Sequence, residues 1–168
     1  MTDLYEFLDT HGVTYDRHDH PPVYTVEESK QLVPEIPGGK TKNLFLRDKK
    51  GTRHILLTVE QDKRVDLKRV SEVAESSKLS FGSAERLKQH LGIEPGSVSL
   101  LALYNDPDGQ VEVLIDKDLW QEEALLCHPL QNTSTLSIPR EDMERFFEAT
   151  GHSFRLVTVP VSENPTDH

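Results

Sequence analysis

Apolar residues recur along this chain with two periods, and the alternation between them predicts the elements. Leu4, Phe7 and Leu8 fall at i, i+3, i+4 and predict a short helix, capped by Thr2 and stopped near Gly12. Val13 to His18 reads as a strand, ended by His20-Pro21-Pro22, because proline cannot donate to a ladder. Thr25-Val26-Glu27-Glu28 has the form of a capping box that opens a helix to about Leu32. Asn43 to Arg47 and His54 to Glu60 predict a hairpin closed by Asp48-Lys49-Lys50-Gly51. Asp66 and Ser83 each stand before a helical run, one carrying Leu67, Val70, Val73 and Ala74, the other Leu87 and Leu91. Val98 to Leu103 reads as a continuous apolar strand, with Val111 to Ile115 its antiparallel partner across Asn105-Asp106-Pro107-Asp108-Gly109. Leu125 to His128 and Thr135 to Ile138 are weaker strands. A helix from about Arg140 to Ala149 and a last strand from Phe154 to Val159 complete the pattern. Strands outnumber helices, so the expected fold is α+β: one domain over 1–160, a mixed, largely antiparallel sheet with helices packed on it, and a flexible tail over 161–168.

Composition narrows the setting. The 168 residues fit one domain with a proper core, and no apolar run approaches the roughly 18 residues of a membrane helix. No signal peptide is visible in Met1 to Glu6, and the single cysteine, Cys127, cannot form an internal disulfide, so a cytoplasmic location is expected. The net charge of −10 argues against coating a nucleic acid along its length. It is unevenly spread. Gly38 to Arg53 carries six basic residues against one acid, whereas Tyr104 to Leu126 carries seven acids against one base. A polyanion can therefore dock at the basic stretch and is repelled elsewhere.

That basic stretch opens with Gly38-Gly39-Lys40-Thr41-Lys42-Asn43, where two glycines permit a sharp turn and two lysines put positive charge beside it. Gly39-Lys40-Thr41 resembles the end of a phosphate-binding P-loop, but the glycine required five residues earlier is Pro34, and a strand rather than a helix follows. A nucleoside triphosphate site is rejected on both counts. His18 and His20 could share a strand face, yet no third ligand lies at a recognisable spacing, so neither a metal nor any other cofactor is expected. Cys127 and His128 would point to opposite faces of a strand and cannot act as nucleophile and base.

The ordered stretches His20-Pro21-Pro22-Val23-Tyr24-Thr25-Val26-Glu27-Glu28, Gly38 to Leu46, Leu79-Ser80-Phe81 with Glu85-Arg86-Leu87, Leu91 to Val98, Asn105-Asp106, and His128-Pro129-Leu130-Gln131-Asn132 with Thr135 carry a resemblance. Over nearly its whole length the chain resembles the free-standing prolyl-tRNA editing proteins of the YbaK-like, ProX type. The resemblance implies the editing-domain fold and a trans-editing hydrolase of mischarged aminoacyl-tRNA(Pro). It looks most like the alanine-specific members; a cysteinyl or seryl specificity, or a non-catalytic module on the same fold that binds tRNA or a protein, are the alternatives. It places the family's key lysine, asparagine and histidine on Lys42, Asn43 and His128. Gly38, Gly39, Lys40, Thr41, Phe45, Phe81, Asn132 and Thr135 complete the expected substrate-binding set, with Lys40 peripheral.

The chemistry suits these residues. An aminoacyl ester is already reactive, so the protein need mostly hold it and position a water, helped by the vicinal ribose hydroxyl and without a metal. Lys42 is expected to bind the terminal phosphate or adenosine and offset developing negative charge. Asn43 and the amides near Gly38 and Gly39 would hold the carbonyl oxygen or the water, and His128 would orient substrate or water. A regular strand would splay Lys42 and Asn43, so β-structure is expected to begin at Asn43 or Leu44. Selectivity by size calls for an apolar pocket, with Ile36, Leu44, Phe45, Phe81 and Leu103 as candidate walls. The partners expected are the tRNA(Pro) acceptor end and, as a candidate, prolyl-tRNA synthetase; no membrane is involved and the oligomeric state is open.

Overall fold

The computed structural model describes residues 3–22, 27–28, 31, 36–95, 98–130 and 133–162. The elements are α1 (Leu4–Thr10), β1 (Asp16–Asp19), β2 (Gly39–Arg47), β3 (His54–Glu60), α2 (Leu67–Val73), β4 (Ser80–Phe81), α3 (Ala84–Leu91), a 3-10 helix (Leu100–Asn105), β5 (Val111–Asp116), α4 (Lys117–Trp120), β6 (Ala124–Cys127), β7 (Ser134–Pro139), α5 (Arg140–Thr150) and β8 (Phe154–Val157). The helices start where short polar side chains can accept from the first turn. Asp66 Oδ1 accepts from Arg69 N at 3.3 Å and Ser83 Oγ from Arg86 N at 3.2 Å. At α1 the cap is Asp3 rather than Thr2, since its carboxylate accepts from Tyr5 N at 3.2 Å. Gly92 and Gly151 end α3 and α5 in the left-handed region. Glu27, Glu28 and Gln31 are helical, while Thr25 and Leu32 lie outside the described residues.

The eight strands form one mixed, mostly antiparallel sheet in the order β1-β7-β6-β2-β3-β5-β8, with β4 added to β2. The β2–β3 hairpin pairs Thr41 with Glu60 through Arg47 with His54. Alternation in β2, β3 and β5 feeds two apolar layers. On one face Phe45, Leu56, Val113 and Ile115 pack with Leu8, Leu91, Phe146 and Phe147 from α1, α3 and α5. On the other Leu44, Leu46, Ile55, Leu57 and Leu114 pack under Val70 of α2. Both faces of β3 are therefore buried, which makes it the spine of the domain.

Two expectations fail, each for a physical reason. Val98 to Leu103 is not a strand: Leu100–Asn105 is a 3-10 helix whose first four residues are buried, and period alone cannot separate a short apolar helix from a strand. Val111–Asp116 has no antiparallel partner in that run; it lies parallel to β3 and to β8, reached by longer crossovers. Near the end of the described chain Val161 bridges to Val65 and Ser162 N donates to Arg64 O at 2.8 Å; residues 163–168 lie outside the described part. Among the described residues no helix is long and apolar enough to cross a membrane.

Candidate active site

The sheet opens at one place, and the opening is set by β2. One edge of β2 is occupied throughout by β3. Its other edge is shared, with β6 pairing at Gly39 and Lys40 and β4 at Leu46 and Arg47. Between them, at Lys42–Leu44, no strand among the described residues pairs with that edge. Side-chain and loop bonds mark the limits: Thr41 Oγ1 donates to Leu126 O at 2.6 Å, and Gly82 N donates to Phe45 O at 2.9 Å. The parallel pairing of β2 with β6 covers Gly39 with Leu125 and Lys40 with Leu126, and His128 directly follows β6. Lys42 and His128 thus lie on, or just beyond, two neighbouring strands of the sheet.

The strand begins at Gly39, not at Asn43 or Leu44, and Lys42 and Asn43 consequently point to opposite faces. Gly38 and Gly39 are required by packing within the chain. Gly38 has φ +135, open to glycine, and a Cβ there would lie 3.1 Å from Leu126 Cδ2. A Cβ on Gly39 would lie 2.8 Å from Leu119 Cδ1, so β2 rests directly on the segment after α4. The half-buried Lys42 donates from Nζ to the carbonyl oxygen of Lys63, and burial lowers its pKa against the opposing pull of Glu60 and Asp62. Asn43 Oδ1 accepts from the buried Thr58 hydroxyl at 2.6 Å, which leaves the amide nitrogen as its free donor.

His128 follows directly on β6. Its Nε2 lies 2.9 Å from Val98 O, and a carbonyl can only accept, so the neutral ring carries its proton on Nε2. Nδ1 is then a bare lone pair, buried and without a partner among the described residues. Burial, with the nearby His20, pushes the His128 pKa below its ordinary value despite the opposing Val98 bond, which keeps the ring neutral. Ser99 Oγ donates to His128 O at 2.8 Å, and Leu130 two residues on is held at φ +67, a costly conformation for leucine that fixes the turn. Thr135 pairs with His20, which directly follows β1. His20 Nδ1 donates to Pro21 O at 2.8 Å, so its Nε2 accepts from Thr135 Oγ1 at 2.9 Å.

The remaining candidates separate. Lys40 lines a cavity of about 400 Å³ with Ile36, Gly39, Lys63, Asp118 and Glu122, which Lys42, Asn43 and His128 do not line. Phe45 is a core side chain under Gly82, its ring stacked 5.7 Å from that of His54. Phe81 is 42% exposed and pairs with Leu46, roughly 13 Å along β2 from Lys42 at the usual rise per residue. Leu103 is fully buried in the core, and Asn132 lies outside the described residues. Cys127 is likewise a core residue, its thiol pushed up to about 12 by burial. Among the described residues no three His, Cys, Asp or Glu side chains gather as a metal site.

Comparison with known proteins decides what kind of site this is. The family described as the aminoacyl-tRNA editing domain matches residues 20–146. The chain belongs to that family. This editing domain is 37% identical to the prolyl-tRNA editing protein ProX of Acetoanaerobium sticklandii over 90% of its own length and 93% of the relative's. It is 34% identical to prolyl-tRNA synthetase associated domain-containing protein 1 of Danio rerio, over 90% of this chain and 83% of that one. Among solved structures, the hypothetical protein APE2540 superposes with a TM-score of 0.71 at 20% identity, covering 92% of this chain and 97% of that one. A proposed trans-editing enzyme for prolyl tRNA synthetase gives 0.63 at 17% identity, covering 94% and 98%. These two likenesses establish the editing-domain fold. Membership makes the chain an aminoacyl-tRNA editing enzyme, a hydrolase of the aminoacyl ester.

Proposed function

We propose that this editing domain, over residues 1–160, deacylates mischarged aminoacyl-tRNA(Pro) in trans in the cytoplasm, that the alanyl ester is its preferred substrate, and that it positions water without a metal. The observation that carries the reading is the buried, unpartnered Nδ1 of His128, on the residue that follows β6, the strand paired with the start of β2. A bare imidazole lone pair together with a half-buried ammonium on the neighbouring strand suits a water or hydroxyl donor and developing negative charge.

The steps follow from this geometry. The ester carbonyl enters the gap in the sheet beside Lys42. A water, or the free ribose hydroxyl that orients it, donates a hydrogen bond to His128 Nδ1. Attack forms the bond from water to the carbonyl carbon, and the bond to the ribose oxygen breaks, releasing the free amino acid and an uncharged tRNA end. The Lys42 ammonium offsets charge on the oxyanion or on the terminal phosphate. The Asn43 amide nitrogen serves from the opposite face, and Thr135 acts through His20 beside His128. Gly38, Gly39, Lys40 and Thr41 shape the entrance, and Asn132 is retained in the substrate-binding set from the family resemblance. The basic stretch from Lys40 to Arg53 meets the acceptor end, while the acidic stretch from Tyr104 to Leu126 discourages a longer footprint. The ester's own reactivity accounts for a site without a cofactor. Prolyl-tRNA synthetase is the partner upstream, since it makes the mischarged product.

The test is hydrolysis of tRNA(Pro) charged with alanine, cysteine, serine or proline, with and without chelator. Selective loss of alanine, unaffected by chelator, is expected. Preference for another residue would redraw the pocket and keep the mechanism; no hydrolysis of any of the four by folded protein would leave a binding module.

A further inference from the structure

Lys63 lies in the turn after β3 and makes bonds in two directions. Its carbonyl oxygen accepts from Lys42 Nζ. Its own ammonium donates to Asp116 Oδ2 at 2.5 Å and to Asp118 Oδ2 at 2.9 Å. Asp116 is 1% exposed, ends β5, and accepts from Asp118 N as the N-cap of α4. The turn is tied to β2 as well, because Gln61 N donates to Lys40 O at 3.0 Å, and it closes on the end of β3 through Lys63 N, which donates to Glu60 O at 3.1 Å. The acceptor of the Lys42 amine is therefore anchored to two strands and one helix.

We propose that Lys63 is a positioning residue for Lys42: its ion pair with Asp116 and Asp118 fixes the carbonyl that holds the Lys42 ammonium in place. The inference rests on the reading of Lys42 as a site residue. A lysine amine sits on a flexible four-carbon stem, so one acceptor aims it only if that acceptor is itself immobile. A neutral carbonyl also leaves the positive charge of Lys42 available to a phosphate or an oxyanion, which a carboxylate partner would not. The carboxylates of Asp116 and Asp118 are held one step back, on Lys63, where their charge is compensated, while Glu60 and Asp62 act on Lys42 only as a weaker pull against burial.

A double-mutant cycle on deacylation of Ala-tRNA(Pro) tests this. Removing Lys63 alone strands a buried carboxylate, so the informative variant is Lys63→Met with Asp116→Asn, which deletes both charges together. The expected result is about a tenfold loss in kcat/KM against wild type and less than a twofold loss in the Lys42→Ala background. Lys63→Arg, which keeps the pair, should restore most of the rate. The same loss in both backgrounds would overturn the proposal, since the pair would then act on the fold alone. A second readout needs no substrate: the carbon resonance next to the Lys42 amine should shift in the folded double variant, and an unmoved resonance would equally overturn it. Should wild-type protein hydrolyse no ester, the functional reading fails while that resonance still reports on the clamp.

Discussion

His152 is buried and His128 half-buried with a buried Nδ1; they stand four strands apart in the sheet and are satisfied differently. His152 Nε2 lies 2.8 Å from Asp106 Oδ2 and its Nδ1 lies 2.7 Å from Thr150 Oγ1, so both ring nitrogens are engaged. Asp106 in turn accepts from Gln110 N and Val111 N, closing the network. His128 has one nitrogen on Val98 O and the other on nothing described. The two lysines repeat the contrast. Lys63 holds two carboxylates, whose bonds raise its pKa against the effect of burial, whereas Lys42 has only a carbonyl and its pKa falls. Buried polar groups in folded proteins are normally paired, because an unpaired one costs about 1–3 kcal/mol. Two under-partnered groups, one on β2 and one just after β6, suit a substrate site, while the saturated pair at Asp106 and His152 holds the β5 end together.

The sharpest test of that contrast is Lys42→Ala. It should lower deacylation about 100- to 1,000-fold while changing the unfolding temperature little, because the amine is half-buried and its hydrogen bond runs to a turn carbonyl. Unchanged turnover would remove Lys42 from the site. Next in size is Asp106→Ala, which strands the donors of Gln110, Val111 and His152. A loss of about 3 kcal/mol is expected, seen in thermal unfolding as roughly 6–12 °C at this chain length, with kcat of the folded protein preserved. His128→Ala should do the reverse, costing about 1 kcal/mol of stability but about 10- to 100-fold in rate. If denaturant titration showed His128→Ala to be as destabilising as Asp106→Ala, with its rate intact, the two histidines would be the same kind of residue.

The contrast was only half visible in the sequence. Helix caps at Asp66 and Ser83, the hairpin at Asp48 to Gly51 and the stop at Gly151 were legible because each depends on neighbours a few residues away. Lys42 and His128 were marked by the family resemblance, not by any local pattern. What sets the strand of Lys42 beside the one that precedes His128 is a parallel pairing of β2 with β6, Gly39 with Leu125 and Lys40 with Leu126, and nothing local encodes it. Lys63 with Asp116 escaped notice for the same reason, being separated by 53 residues. The Val98 to Leu103 run was misread because a fully apolar stretch has no polar face to betray its period. Lys42 and Asn43 were expected to escape regular pairing so that both could serve one face; the strand instead starts at Gly39, and the two residues serve opposite faces.

The gentlest probe is pH, because it changes the His128 contact without changing an atom of the fold. Burial lowers the His128 pKa below the free value of about 6.5, so the folded state resists a proton that the unfolded chain accepts. Above pH 6.5 neither state is protonated and this residue contributes no pH dependence. As pH falls from about 6.5 toward the lower folded value, the unfolded state binds the extra proton and stability declines through that window. The rate should follow the same proton. Nδ1 must stay unprotonated to accept a hydrogen bond, so kcat/KM should be flat at neutral pH and fall only below about pH 6.5, by no more than tenfold per pH unit. On the alkaline side, burial of Lys42 brings its deprotonation below the ordinary lysine range, which narrows the plateau from above. His128→Asn should abolish the acid limb and leave the alkaline one in place. An acid limb centred above pH 6.5 in wild type, or one that persists in His128→Asn, would show that the unpartnered nitrogen does not take part in the reaction.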